Sequence, residues 1–501
     1  MSWWRATLSA GLLVVGLQIF AVESAGAQHS SPPPGGFFAS GRAELLTARG
    51  PVSLASDHPT YSAVAVTGAS TATSHSLPRN AHAALVQRSP FGLSLEYPLM
   101  EKALGLGPCP SPALVATLRE LGSPSLRIGG DSQDLAGPTA AYRYFIAPSF
   151  WTTLGCLARQ SGVQVTVGLN FATSSLTDEL TTIAEAEQAI PAAQLSFSLG
   201  NEPDLYGISH IFPDEAGVEI PAFRPSPWTA AQYASEWQSR RAMLGQVRIE
   251  GPDLAGIGWR TTIGPMLRSD PPDVLDVHAY PTSACGAPLT TAARLLTEHA
   301  SVGLVEKYDW LLNLAQTLHR PAIISESNSA SCGGKPGVSN TPVASVWAAR
   351  YVVAALLGGF QQVRFHSAGG SYDPLVFNPN GTVTLQPLGR ALLFLHRWIP
   401  LGSRIAPATR VPGVLAASVS EGASAHTAGD GNAGAQLSVI VSSFSSKTLP
   451  YEVEVPGRAE HVSTDTLTTT RASEARALVA VHAHRARLML APNTVVAIRL
   501  K

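Results

Sequence analysis

Charge is scarce in this 501-residue chain. Asp, Glu, Lys and Arg make up 14% of it, and 34 basic against 35 acidic side chains leave a formal net charge of −1. No excess of one sign is there to steer the protein toward nucleic acid or an anionic membrane. Cysteine is scarcer still, with Cys109, Cys156, Cys285 and Cys332 and no CxxC spacing, which speaks against a zinc site. There is no HExxH pattern, and His278 and His366 stand singly, so neither a metal nor a cofactor is expected. Past the N-terminus no uninterrupted apolar stretch reaches the roughly 18 residues of a membrane span. What the chain does have is 45% apolar residues, which suits a well-packed core and argues against long disorder.

Residues 1–27 read as a secretory signal. Arg5 precedes a largely apolar 8–22, and Ala25-Gly26-Ala27 offers a small-residue cleavage pattern. Ser9, Gly11, Gly16 and Gln18 interrupt the apolar stretch, which disfavours a membrane anchor. A secreted or periplasmic protein without a membrane segment is the expectation, and export makes the four cysteines disulfide candidates. Residues 28–89 open with a Pro/Gly/Ser linker at 30–36 and continue with strand-like pieces rich in Ala, Ser and Thr.

From residue 90 to 398 short apolar runs alternate with amphipathic stretches. The expected strands are 91–95, 125–128, 163–169, 195–199, 247–249, 274–278, 322–325 and 362–366. Between them Ser111-Pro112 and Thr341-Pro342 open helices with proline at the first helical position. Tyr233 and Trp237, four apart, mark the inner face of a helix starting near Thr229. Eight strand–helix units predict a (β/α)8 barrel with its active site at the C-terminal strand ends. Residues 399–501 hold six further short strands that suggest an appended β-sandwich, which 28–89 could complete. Cys285 follows the sixth barrel strand and Cys332 the seventh, which puts both on one rim. Among the three connectivities this favours Cys109–Cys156 with Cys285–Cys332.

Two glutamates end barrel strands. Glu202 follows 195–199 in Asn201-Glu202-Pro203, and Glu326 ends 322–325 in Ser325-Glu326-Ser327. Paired carboxyls of this kind are what retaining glycoside hydrolysis needs, one as acid/base and one as nucleophile. A partly desolvated Glu202 would keep its proton, and Asn201 could hold a sugar hydroxyl. Glu326 must stay ionised, and Arg127 and Tyr280 are placed to favour its charged form.

The motifs together resemble a known family. Phe91-Gly92-Leu93-Ser94-Leu95-Glu96-Tyr97, Leu126-Arg127-Ile128-Gly129-Gly130-Asp131-Ser132-Gln133-Asp134, Asn201-Glu202-Pro203-Asp204 and Glu326-Ser327-Asn328-Ser329-Ala330 occur in that order. This is similar to glycoside hydrolase family 79, of clan A, which holds β-glucuronidases and heparanases built as a barrel plus a β-sandwich. The resemblance implies Glu202 as acid/base, Glu326 as nucleophile, Asn201 as a hydroxyl-binding residue and Tyr280 as the nucleophile's tyrosine. It implies Glu96 and Asp131 in the sugar pocket. It also implies a uronate carboxylate held by backbone N–H groups of a Gly-rich loop, here Ser331-Cys332-Gly333-Gly334. Heparanase-like members carry tyrosine where this chain has Ser331 and Phe365, so His366 or Lys335 is expected to substitute. The implied partner is a carbohydrate, a β-glucuronide cleaved from a chain end. The alternatives are an endo-acting glucuronidase on glycosaminoglycans, which near-neutral charge disfavours, and an inactive carbohydrate-binding barrel, which the presence of both glutamates disfavours.

Overall fold

The computed structural model describes residues 84–211, 219–408, 411–420, 437–454, 462–470, 479–482 and 485–500, so the expected signal segment at 1–27 and most of 28–89 lie outside the described residues. Eight parallel strands close on themselves: β1 Phe91–Glu96, β2 Ser125–Gly129, β3 Val165–Leu169, β4 Leu195–Leu199, β5 Ile249–Leu254, β6 Val274–His278, β7 Ala322–Ser327 and β8 Val363–Ser367. Closure comes from β8 pairing with β1, Val363 opposite Phe91 and Ser367 opposite Leu95. A parallel sheet is covered on both faces, which is why these strands read as apolar runs and not as an alternation. All eight are buried along their length. This is the expected (β/α)8 barrel.

One strand is displaced from its expected place. The run at 247–249 is the approach to β5, and the strand proper is Ile249–Leu254. Gly251-Pro252 in its middle is the reason, since glycine and proline are depleted from strands and mask the pattern. Gly251 is there for space: a Cβ would come within 2.9 Å of Trp237 Cη2.

The helix starts follow from caps. Ser111 Oγ accepts the Leu114 N–H at 3.2 Å above Pro112–Glu120. Thr229 and Gln232 form a reciprocal capping box on Ala230–Leu244. Tyr233 and Trp237 on that helix are fully buried, with ring centroids 5.9 Å apart, and pack against the barrel. Both disulfides join the expected cysteines, Cys109 to Cys156 and Cys285 to Cys332.

After the barrel come two facing antiparallel sheets. One runs, in spatial order, Ala84–Leu85, Arg404–Pro407, Val414–Ser420, Leu437–Ser443, Val495–Leu500 and Val462–Leu467; the other runs Leu449–Glu454, Arg485–Leu490 and Val479–His482. Val439, Val441, Tyr451, Leu488 and Ile498 fill the space between them. Two of these strands escape the sequence reading. Arg404–Pro407 ends in proline, and Val462–Leu467 is a polar edge strand whose Ser463, Thr464 and Asp465 leave no apolar alternation. Helix Pro342–Gly358, buried nearly all round, packs between barrel and sandwich. Its Arg350 donates from Nε to Ser442 Oγ at 2.7 Å and from Nη1 to Leu296 O at 2.9 Å.

Replacing Trp237 with alanine should cost about 3–5 kcal/mol of stability, because a large buried ring leaves a cavity. Chemical denaturation measures it, and a loss below about 1 kcal/mol would contradict the packing role.

Candidate active site

Glu326 ends β7, where His278 of β6 is its register partner and Ala279 N–H donates to the Glu326 carbonyl at 2.9 Å. Its carboxylate is ringed by donors. Arg127 Nη1 reaches Oε2 at 2.9 Å, and Tyr280 Oη donates to Oε1 at 2.9 Å. His366 Nδ1 lies 3.5 Å from Oε2, and His278 Nδ1 lies 3.9 Å from Oε1. Burial alone would raise this carboxyl; the charges of His366, His278 and Arg127 outweigh it and hold the group down at about 2. Glu326 is therefore an anion at any physiological pH.

Glu202 follows β4 on a bent backbone. Its φ of 48° is left-handed, a conformation few side chains adopt, and Gly200 before it also has positive φ. Pro203 starts the short turn Pro203–Leu205, and Leu205 N–H returns to the Glu202 carbonyl at 2.8 Å. This aims the Glu202 carboxyl at His278, whose Nδ1 lies 2.8 Å from Oε1. Burial raises the Glu202 carboxyl above its ordinary value, partly offset by the His278 hydrogen bond. The Glu202 side chain is 19% exposed against 7% for Glu326, so solvent reaches the first more than the second. One Glu202 oxygen, one His278 ring nitrogen and one Glu326 oxygen lie within 4.8 Å of one another. Such spacing also suits a metal ion, but Arg127 and a cationic His366 against Glu326 would repel one.

Asn201 is fixed from three sides. Its N–H donates to Asp134 Oδ2 at 3.0 Å, its Oδ1 accepts from Arg127 Nη2 at 2.9 Å, and its Nδ2 faces Asp131 Oδ1 at 3.4 Å. Asp131, Asn201 and Glu202 line one small hollow with Leu205, Tyr206 and Phe223. The fold thus brings Arg127, Asp131, Asn201, Glu202, Tyr280 and Glu326 to one end of the barrel.

Two expectations change. Glu96 accepts from the N–H groups of Asp131 (3.0 Å) and Ser132 (2.8 Å), from Ser132 Oγ, and faces His366 Nε2 at 3.2 Å. Both its oxygens are used inside the protein and it is 1% exposed, so it braces the pocket wall and does not face a sugar. His366 likewise has Nε2 on Glu96 and Nδ1 against Ser94 Oγ (3.2 Å) and Glu326, which leaves no ring nitrogen for a substrate carboxylate. It serves the Glu326 charge instead, with its own value raised to about 9: burial opposes the proton, and Glu326 and Glu96 outweigh burial. Phe365 points the other way, edge-on to Trp347 at 6.0 Å.

The loop after β7 is joined to the loop after β6. Ser331 N–H donates to Thr282 O at 3.1 Å, Ala284 N–H donates to Ser331 O at 3.2 Å, and Cys332 is bonded to Cys285. Cys332, Gly333 and Gly334 all have positive φ, at 60°, 75° and 80°. Among the described residues no hydrogen bond within the protein takes up their N–H groups, whereas the next N–H, of Lys335, goes to Ser339 Oγ at 2.8 Å. Gly334 packs on Tyr372, where a Cβ would come within 2.7 Å of that residue's Cβ.

Three residues that sequence reasoning left out belong to the site. His278 reads in the sequence only as a solitary metal-ligand type, although its place two residues before Tyr280 on a strand end is a signal. Asp134 stands in a quoted motif, and it takes the N–H groups of Phe171, Ala172 and Asn201 and the Tyr206 hydroxyl. Asp253 lies on the strand that Gly251-Pro252 concealed.

The architecture is shared with solved structures. A 4-O-α-L-rhamnosyl-β-D-glucuronidase from Fusarium oxysporum superposes with a TM-score of 0.62 at 20% identity, covering 85% of this chain and 98% of that one. The GH51 arabinofuranosidase from Xanthomonas axonopodis pv. citri gives 0.59 at 14%, covering 84% and 97%. By sequence the chain is similar to a beta-glucuronidase of Neurospora crassa, 24% identical over 303 residues, and to one of Aspergillus niger, 26% identical over 301. Each match covers 52% of this chain, and the chain spans about half the length of these curated relatives. No family model matches the chain.

Arg127→Met should move the Glu326 carboxyl from about 2 toward the ordinary range, since one of the three opposing charges is gone. A 13C NMR titration of the carboxylates reads it. A value that stays near 2 would show that the two histidines suffice.

Proposed function

We propose that this chain is a retaining β-glycosidase with Glu326 as nucleophile and Glu202 as acid/base, acting on β-linked glucuronic acid. The observation that carries the reading is the approach of the two carboxyls within 4.8 Å, with Glu326 held down at about 2 and Glu202 raised by burial above its ordinary value. Retaining enzymes hold the pair about 5–5.5 Å apart, while inverting ones leave about 6.5–9.5 Å for a water. In the first step Glu326 attacks the anomeric carbon, and Glu202 passes its proton to the departing glycosidic oxygen. In the second step the carboxylate now on Glu202 takes a proton from water, which displaces Glu326 with net retention. Tyr280 and Arg127 hold one Glu326 oxygen each, leaving the geometry of attack to the strand end.

The uronate is supported by two beta-glucuronidase relatives and by the free N–H groups of Cys332, Gly333 and Gly334, which suit an anion. Lys335 beside them is exposed and adds the nearest positive charge in sequence. Exo action on a short glycan or glycoconjugate is favoured over cutting inside a polyanion, because the loop after β6, residues 279–291, carries no charged side chain. The signal-like 1–27 and the two disulfides support a secreted or periplasmic location.

Activity on aryl β-glucuronide, galacturonide, glucoside and xyloside tests the sugar. The glucuronide should be fastest; a faster glucoside or xyloside would remove the uronate and leave the mechanism standing. Rapid cleavage inside a heparan-type polymer would replace exo action with endo action.

An activated fluorosugar should label Glu326, and Glu326→Gln should abolish turnover; labelling elsewhere would overturn the assignment. Glu202→Ala should slow poor leaving groups by about 10²–10⁴-fold and good ones far less, with azide restoring part of the rate. Equal losses across leaving groups would contradict the acid/base role. The pH profile should keep its acid limb low, since activity is lost only as pH falls through the depressed Glu326 value near 2. Its alkaline limb should lie above the ordinary carboxyl range, where the hydrogen-bonded pair of Glu202 and His278 gives up its last proton.

A further inference from the structure

Asp253 touches both halves of the catalytic pair without facing the substrate. Its side chain is 1% exposed. Oδ1 lies 3.1 Å from His278 Nε2, accepts from Ser325 Oγ at 3.1 Å, and lies 3.2 Å from Arg127 Nη2. The same His278 reaches Glu202 with its other nitrogen, and the same Arg127 reaches Glu326 with Nη1. The Asp253 backbone carbonyl also accepts the Glu202 N–H at 3.0 Å. One residue thus fixes the Glu202 main chain, orients the imidazole on the Glu202 carboxyl, and shares the guanidinium of Glu326.

Resting on the glycosidase reading above, we propose that Asp253 is a positioning residue that governs how firmly the Glu202–His278 pair holds the catalytic proton. Two features mark it as more than a packing residue. Its φ of 51° is left-handed in a non-glycine, and its Oδ2 is buried with no hydrogen-bond partner. Both are costs that persist at sites where function maintains them.

The charges around the pair come from six elements. Arg127 on β2 opposes a proton on His278, and Glu326 on β7 favours it. Asp131 after β2 and Asp204 after β4 lie close enough to favour the proton as well. Asp276 on β6 takes the Asp253 N–H at 2.8 Å, and burial and then the Asp253 charge push its own carboxyl well above the ordinary range. His366 on β8 bears on Glu326. Tyr308 caps the His278 carbonyl at 2.7 Å, and Tyr233 on helix Ala230–Leu244 lies near Asp253 without titrating in range. Asp253 is the ionised carboxylate that His278 Nε2 meets directly. Burial would raise it, and Arg127 followed by His278 holds it below its ordinary value. His278 is raised well above its ordinary range, and the Asp253 carboxylate on its Nε2 is one cause, so the charged Asp253 strengthens the pair's hold on its proton. Removing that charge weakens the hold.

The test is the pH dependence of kcat and kcat/KM for an aryl β-glycoside with a poor leaving group. Asparagine keeps the shape and tolerates left-handed φ. Asp253→Asn should move the alkaline limb down by about one pH unit or more and lower kcat at neutral pH by about 10–100-fold, with KM within about threefold. Ser325→Ala removes a donor from the Asp253 carboxylate, makes it more basic, and should move the same limb up. This second variant decides the matter if the first does not fold. A reduced kcat with an unmoved limb in Asp253→Asn, or a limb that Ser325→Ala leaves in place, would reduce Asp253 to a packing role. The functional reading fails separately, if the wild type turns over no β-glycoside at all. The 15N titration of the His278 imidazole still decides the proposal then: a lower value in Asp253→Asn supports it, and an equal value overturns it.

Discussion

A single buried guanidinium organises the catalytic end of this barrel. Arg127 is fully enclosed, and it reaches Ser94 on β1, Gln133 after β2, Asn201 after β4, Asp253 on β5 and Glu326 on β7. A charge so far from water must be compensated on every side or be expelled. Burial works against its proton, and Asp253 and Glu326 more than restore it, so it stays charged. The strand ends that meet around it are held at the spacing those contacts require. The carboxyl pair inherits its geometry from that requirement.

The opposite end of the barrel repeats the solution with other residues. Arg364 on β8 pairs with Glu250 on β5 at 2.6 Å, and Ser196, Ser125 and Gln362 complete the hydrogen bonds. Gly92 on β1 is small because a Cβ there would meet Ser125 Oγ at 2.4 Å and Arg364 Cγ at 2.8 Å. Glu250 is held below the ordinary range: burial opposes its charge, and Arg364 outweighs burial. The lower ion pair closes on itself and leaves no acidic group poised near neutrality. The upper cluster leaves Glu202 part exposed and raised, and that difference separates a brace from a reactive site.

Much of this was legible in the residues. The two glutamates stand where apolar runs stop beside Gly200, Pro203 or polar neighbours, and a strand end is a local property. Tyr280 and Arg127 were found the same way. Asp253 was hidden because Gly251-Pro252 breaks the pattern that would have extended the strand to it. The wiring of His366 was hidden for a different reason. Its partners Glu96 and Ser94 are more than 250 residues away in sequence, and only closure of β8 on β1 brings them together. Strand period settles what sequence left open by a residue: Phe365 faces the helix, and Arg364 and His366 face the barrel interior.

The contact of Arg350 with the sandwich sets a limit on modularity. Its guanidinium leaves the barrel-side helix, lies over the Phe444 ring at 4.6 Å, and ends on Ser442 and Ser443. Across the same boundary the short strand Ala84–Leu85, just before β1, pairs with Arg404–Pro407. Chain entry to the barrel and chain exit from it are thus fastened to one appended sheet. The two domains are thereby one mechanical block: exchanging the barrel alone would take the Arg350 guanidinium away from Ser442 and Ser443 and leave the strand Ala84–Leu85 without its partner.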